Sequence, residues 1–158
     1  MKSSNIALIL AIISTLCTIS LAQNFIKHFL DAHNKARAGI GLKPLTWNST
    51  LAAYAEKYAK SRMGDCKLEH SQGPFGENLA EGYGEFSCEE AVKMWLSEKL
   101  NYDHKENKCV NDECLHYTQI IWKNTLHLGC ARQRCNNGGV IIVCSYYPPG
   151  NYIGEQPY

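Results

Sequence analysis

The apolar positions of the chain switch between two periods, and the switches mark its elements. Phe25, Ile26, Phe29, Leu30 and His33 recur at helical spacing until Gly39 and Gly41 interrupt them, which predicts an amphipathic helix over 25–38. Lys43-Pro44-Leu45 reads as an extended connector. Asn48 or Ser49 can cap a second helix by accepting a hydrogen bond from a free backbone N–H, and Leu51, Ala52, Ala55, Tyr58, Ala59 and Met63 form its stripe. Residues 65–86, with four glycines and a proline, read as an ordered loop. Ser87 and Glu90 form a capping box that opens a third helix, with Ala91, Val92, Trp95 and Leu96 facing the core.

The second half of the chain changes character. Residues 101–115 are polar, and 116–122 is a short apolar run compatible with either a helix or a strand. Leu128 to Arg134 reads as a strand, and Asn136-Asn137-Gly138-Gly139 as a hairpin turn that needs positive φ. Val140 to Tyr147 is an almost unbroken apolar run rich in β-branched residues, as expected of a strand covered on both faces. Helices around a small antiparallel sheet define an α+β, layered architecture in a single domain over 23–158.

The first 22 residues stand apart. Lys2 precedes an apolar stretch, and Ser20-Leu21-Ala22 places small residues before a cut, which predicts a secretory signal peptide cleaved after Ala22. The apolar run is too short to span a bilayer, so no integral membrane association is expected. The whole chain carries 16 basic and 15 acidic residues, and the loss of Lys2 balances them. A balanced chain offers no electrostatic basis for nucleic-acid binding. Of eight cysteines, Cys17 falls in the leader and seven remain, an odd number in an oxidising compartment. Cys109 and Cys114 could form half of a zinc site or a small disulfide loop.

Candidate chemistry is sparse. Glu98 continues the face of Ala91 and Trp95, where it either finds a buried partner or ends the helix in solvent. His70 lies near Glu77, and His116 follows Cys114; two imidazoles and two carboxylates could bind a divalent metal or form a charge-balanced hydrogen-bonded cluster. His28, His33, His104 and His127 read as structural or solvated. There is no G-x-S-x-G elbow, and Ser71 next to His70 would point away from it on extended chain. Cys88, with Glu89 and Glu90 beside it, reads as a surface thiol or one end of an intermolecular disulfide rather than as a nucleophile. Asn48-Ser49-Thr50 is an N-glycosylation sequon as well as a helix cap.

Ordered motifs along nearly all of residues 23–158 resemble the plant pathogenesis-related class 1 proteins of the CAP superfamily (cysteine-rich secretory proteins, antigen 5, pathogenesis-related 1). The resemblance rests on Leu30-Asp31-Ala32-His33-Asn34 with Ala36-Arg37, Pro44-Leu45-Thr46-Trp47, His70-Ser71, Gly76-Glu77-Asn78-Leu79-Ala80 and Met94-Trp95 with Ser97-Glu98-Lys99. It continues through Cys114-Leu115-His116-Tyr117-Thr118-Gln119, Gly129-Cys130-Ala131-Arg132, Cys135-Asn136-Asn137-Gly138-Gly139 and Pro149-Gly150-Asn151-Tyr152-Ile153-Gly154. It implies a three-layer α-β-α sandwich stapled by Cys66–Cys135, Cys109–Cys114 and Cys130–Cys144, with Cys88 left unpaired. It also implies a central cleft where His70, Glu77, Glu98 and His116 converge, able in relatives to hold zinc or another divalent ion, with no cofactor required.

The function implied by the resemblance is extracellular defence in the apoplast, with a sterol or related lipid as the bound partner. Two alternatives accompany it. One is a precursor releasing Pro148–Tyr158 as a signalling peptide, although Ser145 and Tyr147 depart from the family's processing motif. The other is a metal-dependent hydrolase built on the His/Glu cluster.

Overall fold

In the computed structural model, residues 23–158 are described; the leader and its cleavage point lie outside them. Helix α1 spans 23–38, beginning slightly before the apolar stripe. It is followed by strand β1 (Thr46–Trp47), α2 (Ser49–Ser61), β2 (Gly76–Tyr83) and α3 (Cys88–Ser97). A 3-10 turn over Glu98–Asn101 leads to a small hairpin, β3 (Tyr102–Asp103) and β4 (Lys108–Cys109). Helix α4 (Leu115–Ile120), β5 (His127–Arg134) and β6 (Gly139–Tyr147) complete the order.

The main sheet runs β1-β5-β6-β2. Strands β2 and β5 flank β6 antiparallel, and β1 adds to β5 in parallel. Strand β6 is central, and it explains the layers. Ile141 and Val143 face one side, against Ala55 and Ala59 of α2. Val140, Ile142, Cys144 and Tyr146 face the other, against Phe29 of α1, Val92 and Trp95 of α3, and Ile120 of α4. All residues from Gly139 to Tyr146 are therefore buried, because each face of the strand has its own helical cover. The result is the three-layer α-β-α sandwich.

Local chemistry accounts for the element boundaries. Asn48 is the N-cap of α2, its Oδ1 accepting from Thr50 N at 2.9 Å and Leu51 N at 3.2 Å. The α3 capping box is complete: Glu90 N donates to Ser87 Oγ at 3.2 Å, and Ser87 N donates to Glu90 Oε2 at 2.7 Å. The β5–β6 turn closes with Cys135 N on Gly139 O at 2.8 Å, and its positive φ falls on Gly138, at 84°. At Gly129, a Cβ would lie 2.2 Å from Ala52 N, so the absent side chain lets α2 lie directly on β5.

The stretch read as a loop over 65–86 contains an eight-residue strand, β2. Its Gly76, Gly82, Glu77 and Glu81 obscure any apolar alternation, yet its backbone pairs with β6 from Gly76–Tyr146 to Tyr83–Gly139. Backbone hydrogen bonds to a strong central strand outweigh the weak strand propensity of these residues. The undecided segment after Cys114 is helix α4.

Three disulfides join Cys66 to Cys135, Cys109 to Cys114 and Cys130 to Cys144. The first spans 69 residues of sequence and ties the exit of α2 to the β5–β6 turn. In the chain-entropy picture a loop of that size stabilises the fold by about 4 kcal/mol. Cys88 is free among the described residues, but it is not a surface thiol. It is 7% exposed in the core formed by α1, α3 and the sheet. Burial, with Glu89 adding to it, pushes its thiol up to about 12. The first residue of α3 turns inward here, which corrects the expectation of an intermolecular bridge: a buried, protonated thiol is a poor partner for exchange.

Candidate functional site

The candidate site forms where β2, α4 and the segment after β6 meet. Glu77 lies at the start of β2, next to the central strand, with its side chain 6% exposed. Its Oε1 accepts from Ser71 N at 2.9 Å and lies 2.9 Å from His70 Nδ1. Burial pushes the Glu77 carboxyl upward, but the hydrogen bonds from His70 and Ser71 outweigh it and hold the group below its ordinary value. Its hydrogen bond to Glu77 raises the His70 imidazole. Since a carboxylate only accepts, His70 Nδ1 carries the proton and Nε2 is left for the cleft. Glu77 Oε2 is buried without a hydrogen-bond partner.

The second pair is Glu98 and His116. Glu98 closes α3, and His116 lies in the first turn of α4. His116 Nδ1 donates to Glu98 Oε1 at 2.7 Å, while Glu98 Oε2 accepts from the backbone N–H groups of His116 (3.0 Å) and Tyr117 (3.2 Å). One carboxylate thus orients an imidazole and caps a helix that Cys114 leaves uncapped by side chain. Trp95 stacks on the His116 ring, with centroids 6.2 Å apart and planes 13° from parallel, and its indole N–H donates to Leu79 O at 2.9 Å. This resolves the two possibilities for Glu98: it is a mostly buried, partnered group.

His70, Glu77, His116 and Glu113 line a cavity of about 550 Å³, while Glu98 stands behind His116. The roof is supplied by Gln119 and Gly150. Gln119 Oε1 accepts from Gly150 N at 3.0 Å, and a Cβ on Gly76 or Gly150 would lie within 3 Å of the Gln119 side chain. Asn151 ties the same segment to α4, accepting from Thr118 Oγ1 at 2.7 Å and donating to Leu115 O at 2.9 Å. These amides were not singled out from the sequence. The only signal was their place inside the quoted motifs.

The arrangement is two separate His–Glu pairs. Among the described residues, no set of three or more His, Cys, Asp or Glu is placed to hold a metal ion. Each imidazole has spent Nδ1 on its carboxylate, which leaves Nε2 as its free ring nitrogen. The cavity thus presents two imidazoles and two carboxylates without gathering them into one ligand set. Nor does Ser71 meet an imidazole: its Oγ accepts from Tyr54 O–H at 3.1 Å. The other histidines hold structure. His33 is fully buried, while His28 pairs with Glu89, His104 reaches Tyr158 O and His127 meets Thr46 Oγ1.

A sheet between two helical layers, three disulfides and a cleft flanked by two His–Glu pairs define a class. Residues 30–146 match the cysteine-rich secretory protein family, CAP, and the chain belongs to that family. Within it, the chain is 54% identical over 139 residues to pathogenesis-related protein 1A of Nicotiana tabacum, covering 87% of this chain and 83% of that protein. It is 49% identical over 156 residues to pathogenesis-related protein 1 of Arabidopsis thaliana, covering 98% and 96%. Among solved structures, venom allergen-like protein 4 of Schistosoma mansoni superposes with a TM-score of 0.67 at 31% identity, covering 82% of this chain and 90% of that one.

Proposed function

We propose that this chain is a secreted plant defence protein that acts by binding a sterol or related lipid in the extracellular space, and not by catalysis. Family membership and half-identity to pathogenesis-related relatives support the defence role. The observation that carries the lipid reading is a cavity of about 420 Å³ between α1 and the α3–α4 layer. Its wall is Ala32, Ala36, Gly39, Ile40, Leu96 and Tyr117, and its only charges are Lys35 and Lys99. Small residues on α1 keep the space open, and each Å² of apolar ligand buried there is worth about 25 cal/mol. The central cleft, floored by imidazole and carboxylate, would instead charge a lipid the cost of desolvating those groups.

Titration of a fluorescent sterol into the protein is expected to give saturable binding, weakened tenfold or more by Ile40→Glu. Ile40 follows α1 and is only partly buried, so this change puts a charge in the cavity with little effect on the core. Titration with no saturation in the unaltered protein would remove the reading.

A second reading is favoured by the end of the chain. Tyr147 is 49% exposed, and Pro148–Tyr158 beyond it has neither helix nor strand and no cysteine. A protease could reach the 147–148 bond, and nothing covalent would retain the fragment. Hydrogen bonds such as Lys123 N to Pro157 O (2.6 Å) and Asn107 Nδ2 to Glu155 O (3.1 Å), together with the packing of Tyr158 against the core, would hold it only non-covalently. Mass spectrometry of extracellular fluid from induced tissue is expected to find a fragment running from Pro148 to Tyr158. Finding only the uncut chain there would count against the precursor role.

A further inference from the structure

We propose that Asn48 carries an N-linked glycan and that the first sugars of this glycan lie in the apolar groove beside it. The inference rests on the secretion half of the function proposed above, since the transfer takes place in the secretory pathway.

The geometry separates the two duties of Asn48. As the N-cap of α2 it uses Oδ1 alone, accepting from Thr50 N and Leu51 N. Its Nδ2 makes no hydrogen bond among the described residues, and Ser49 and Thr50 are exposed. Glycosylation uses the other atom. A polyprenyl-pyrophosphate-linked oligosaccharide is attacked at its first sugar carbon, so a bond forms from Nδ2 to C1. The C1–O bond breaks with its electron pair on the pyrophosphate, and Nδ2 gives up a proton. The product still has Oδ1 free to cap the helix, so modification and folding do not compete.

The groove supplies the second observation. A depression of about 400 Å³ is lined by Phe25 and Ile26 of α1, Trp47, Ala52 and Ala53 of α2, and Ala131 of β5. Both sequence neighbours of Asn48, Trp47 and Ser49, line it, which places the backbone of Asn48 beside the groove and within reach of a sugar chain carried on its side chain. Its polar groups are few, chiefly Glu56, Arg132 and Gln133. That surface matches a pyranose, whose C–H face stacks on an indole and whose hydroxyls pair with a carboxylate, a guanidinium and an amide. A covalently tethered sugar also avoids most of the entropy cost of a free ligand. It covers apolar surface that the fold otherwise leaves open to water.

The test is secretion of the full chain from plant cells, with intact-mass measurement of the extracellular protein. The expected mass exceeds the polypeptide by one glycan core and falls to the bare value in Thr50→Ala, which keeps the Asn48 cap. Asn48→Asp keeps an acceptor at the cap and should also give the bare mass. Extracellular protein at the bare mass overturns the glycan while leaving secretion standing. Protein found only inside the cell fails the secretion reading and the glycan with it. For the groove, an environment-sensitive apolar dye is expected to bind Thr50→Ala several-fold better than the glycosylated chain. Ala53→Glu in the Thr50→Ala background should abolish the gain. Equal dye binding with and without the glycan overturns the groove contact.

Discussion

Replacing Arg37 by methionine is expected to lower the unfolding free energy by about 4 kcal/mol, as read from denaturant unfolding with the disulfides intact. The side chain is 0% exposed and carries a charge, yet every partner it has is a backbone carbonyl. Nε donates to Lys43 O at 2.8 Å, Nη1 to Ile120 O at 2.8 Å and Trp122 O at 2.9 Å, and Nη2 to Thr125 O at 3.1 Å. Two of those carbonyls lie at the C-terminal end of α4, where the helix dipole favours a cation. Burial lowers the guanidinium to about 10, so it remains protonated at neutral pH. One side chain thereby splices α1, the connector before β1 and the exit of α4.

Methionine keeps much of the volume but leaves the carbonyls of Lys43, Ile120 and Thr125 without donors, each worth about 1 kcal/mol or more when buried, while Trp122 O keeps only its bond from Thr125 N. Arg37→Lys is expected to recover about half of the loss, because an ammonium cannot span the fork of acceptors. A loss below about 1 kcal/mol in Arg37→Met would show that water replaces the guanidinium without penalty.

The second large effect is acid lability from His33. This ring sits inside the same helical layer, 0% exposed, with Nδ1 2.8 Å from Phe29 O and Nε2 2.8 Å from Tyr146 Oη. The carbonyl can only accept, so Nδ1 carries the proton and Nε2 accepts from the tyrosine. A second proton would have to displace that hydrogen bond in a site that also holds Arg37. Burial accordingly lowers the imidazole from 6.5 to about 4, and the charge of Arg37 adds to the effect.

The unfolded chain takes up a proton at His33 near pH 6.5, and the folded chain does not until about pH 4. The stabilisation is therefore complete above 6.5 and is lost progressively as pH falls to 4, by about 3 kcal/mol from this residue. His70 is raised and acts in the opposite sense, favouring the folded state at low pH, but it is half exposed and its share is smaller. Unfolding free energies measured from pH 7 to 4 should show the loss. His33→Gln should be less stable at pH 7 but markedly flatter over that range. An unchanged slope in the variant would place the acid sensitivity elsewhere.

These two residues also show where sequence reading runs out. The helices were legible because their apolar stripes repeat at 3.6 residues, and β6 was legible because burial on both faces leaves an unbroken apolar run. Arg37 and His33 lie on the buried side of α1, but a polar residue on a stripe does not announce its partners. Those partners come from residues 43, 120–125 and 146, brought close only by the fold. Strand β2 was hidden for a related reason: its Glu77 is buried through a hydrogen bond to His70, not through hydrophobicity. His70, Glu77, Glu98 and His116 could be named as candidates, but their division into two pairs depends on Glu98 reaching across from α3 to α4. Cys88 was misplaced because its position at the start of a helix, beside two glutamates, suggested solvent, whereas that turn of α3 faces the core.

The alternation along β6 restricts how this protein can vary in length. Ile141 and Val143 belong to one helical layer, and Val140, Ile142, Cys144 and Tyr146 to the other. Deleting or adding a single residue inside the strand would exchange the two sets, turning Cys144 away from Cys130 and Tyr146 away from His33 together. Tolerance for insertions therefore belongs to the turns at either end, and the strand itself acts as the ruler by which the two halves of the molecule are kept in phase.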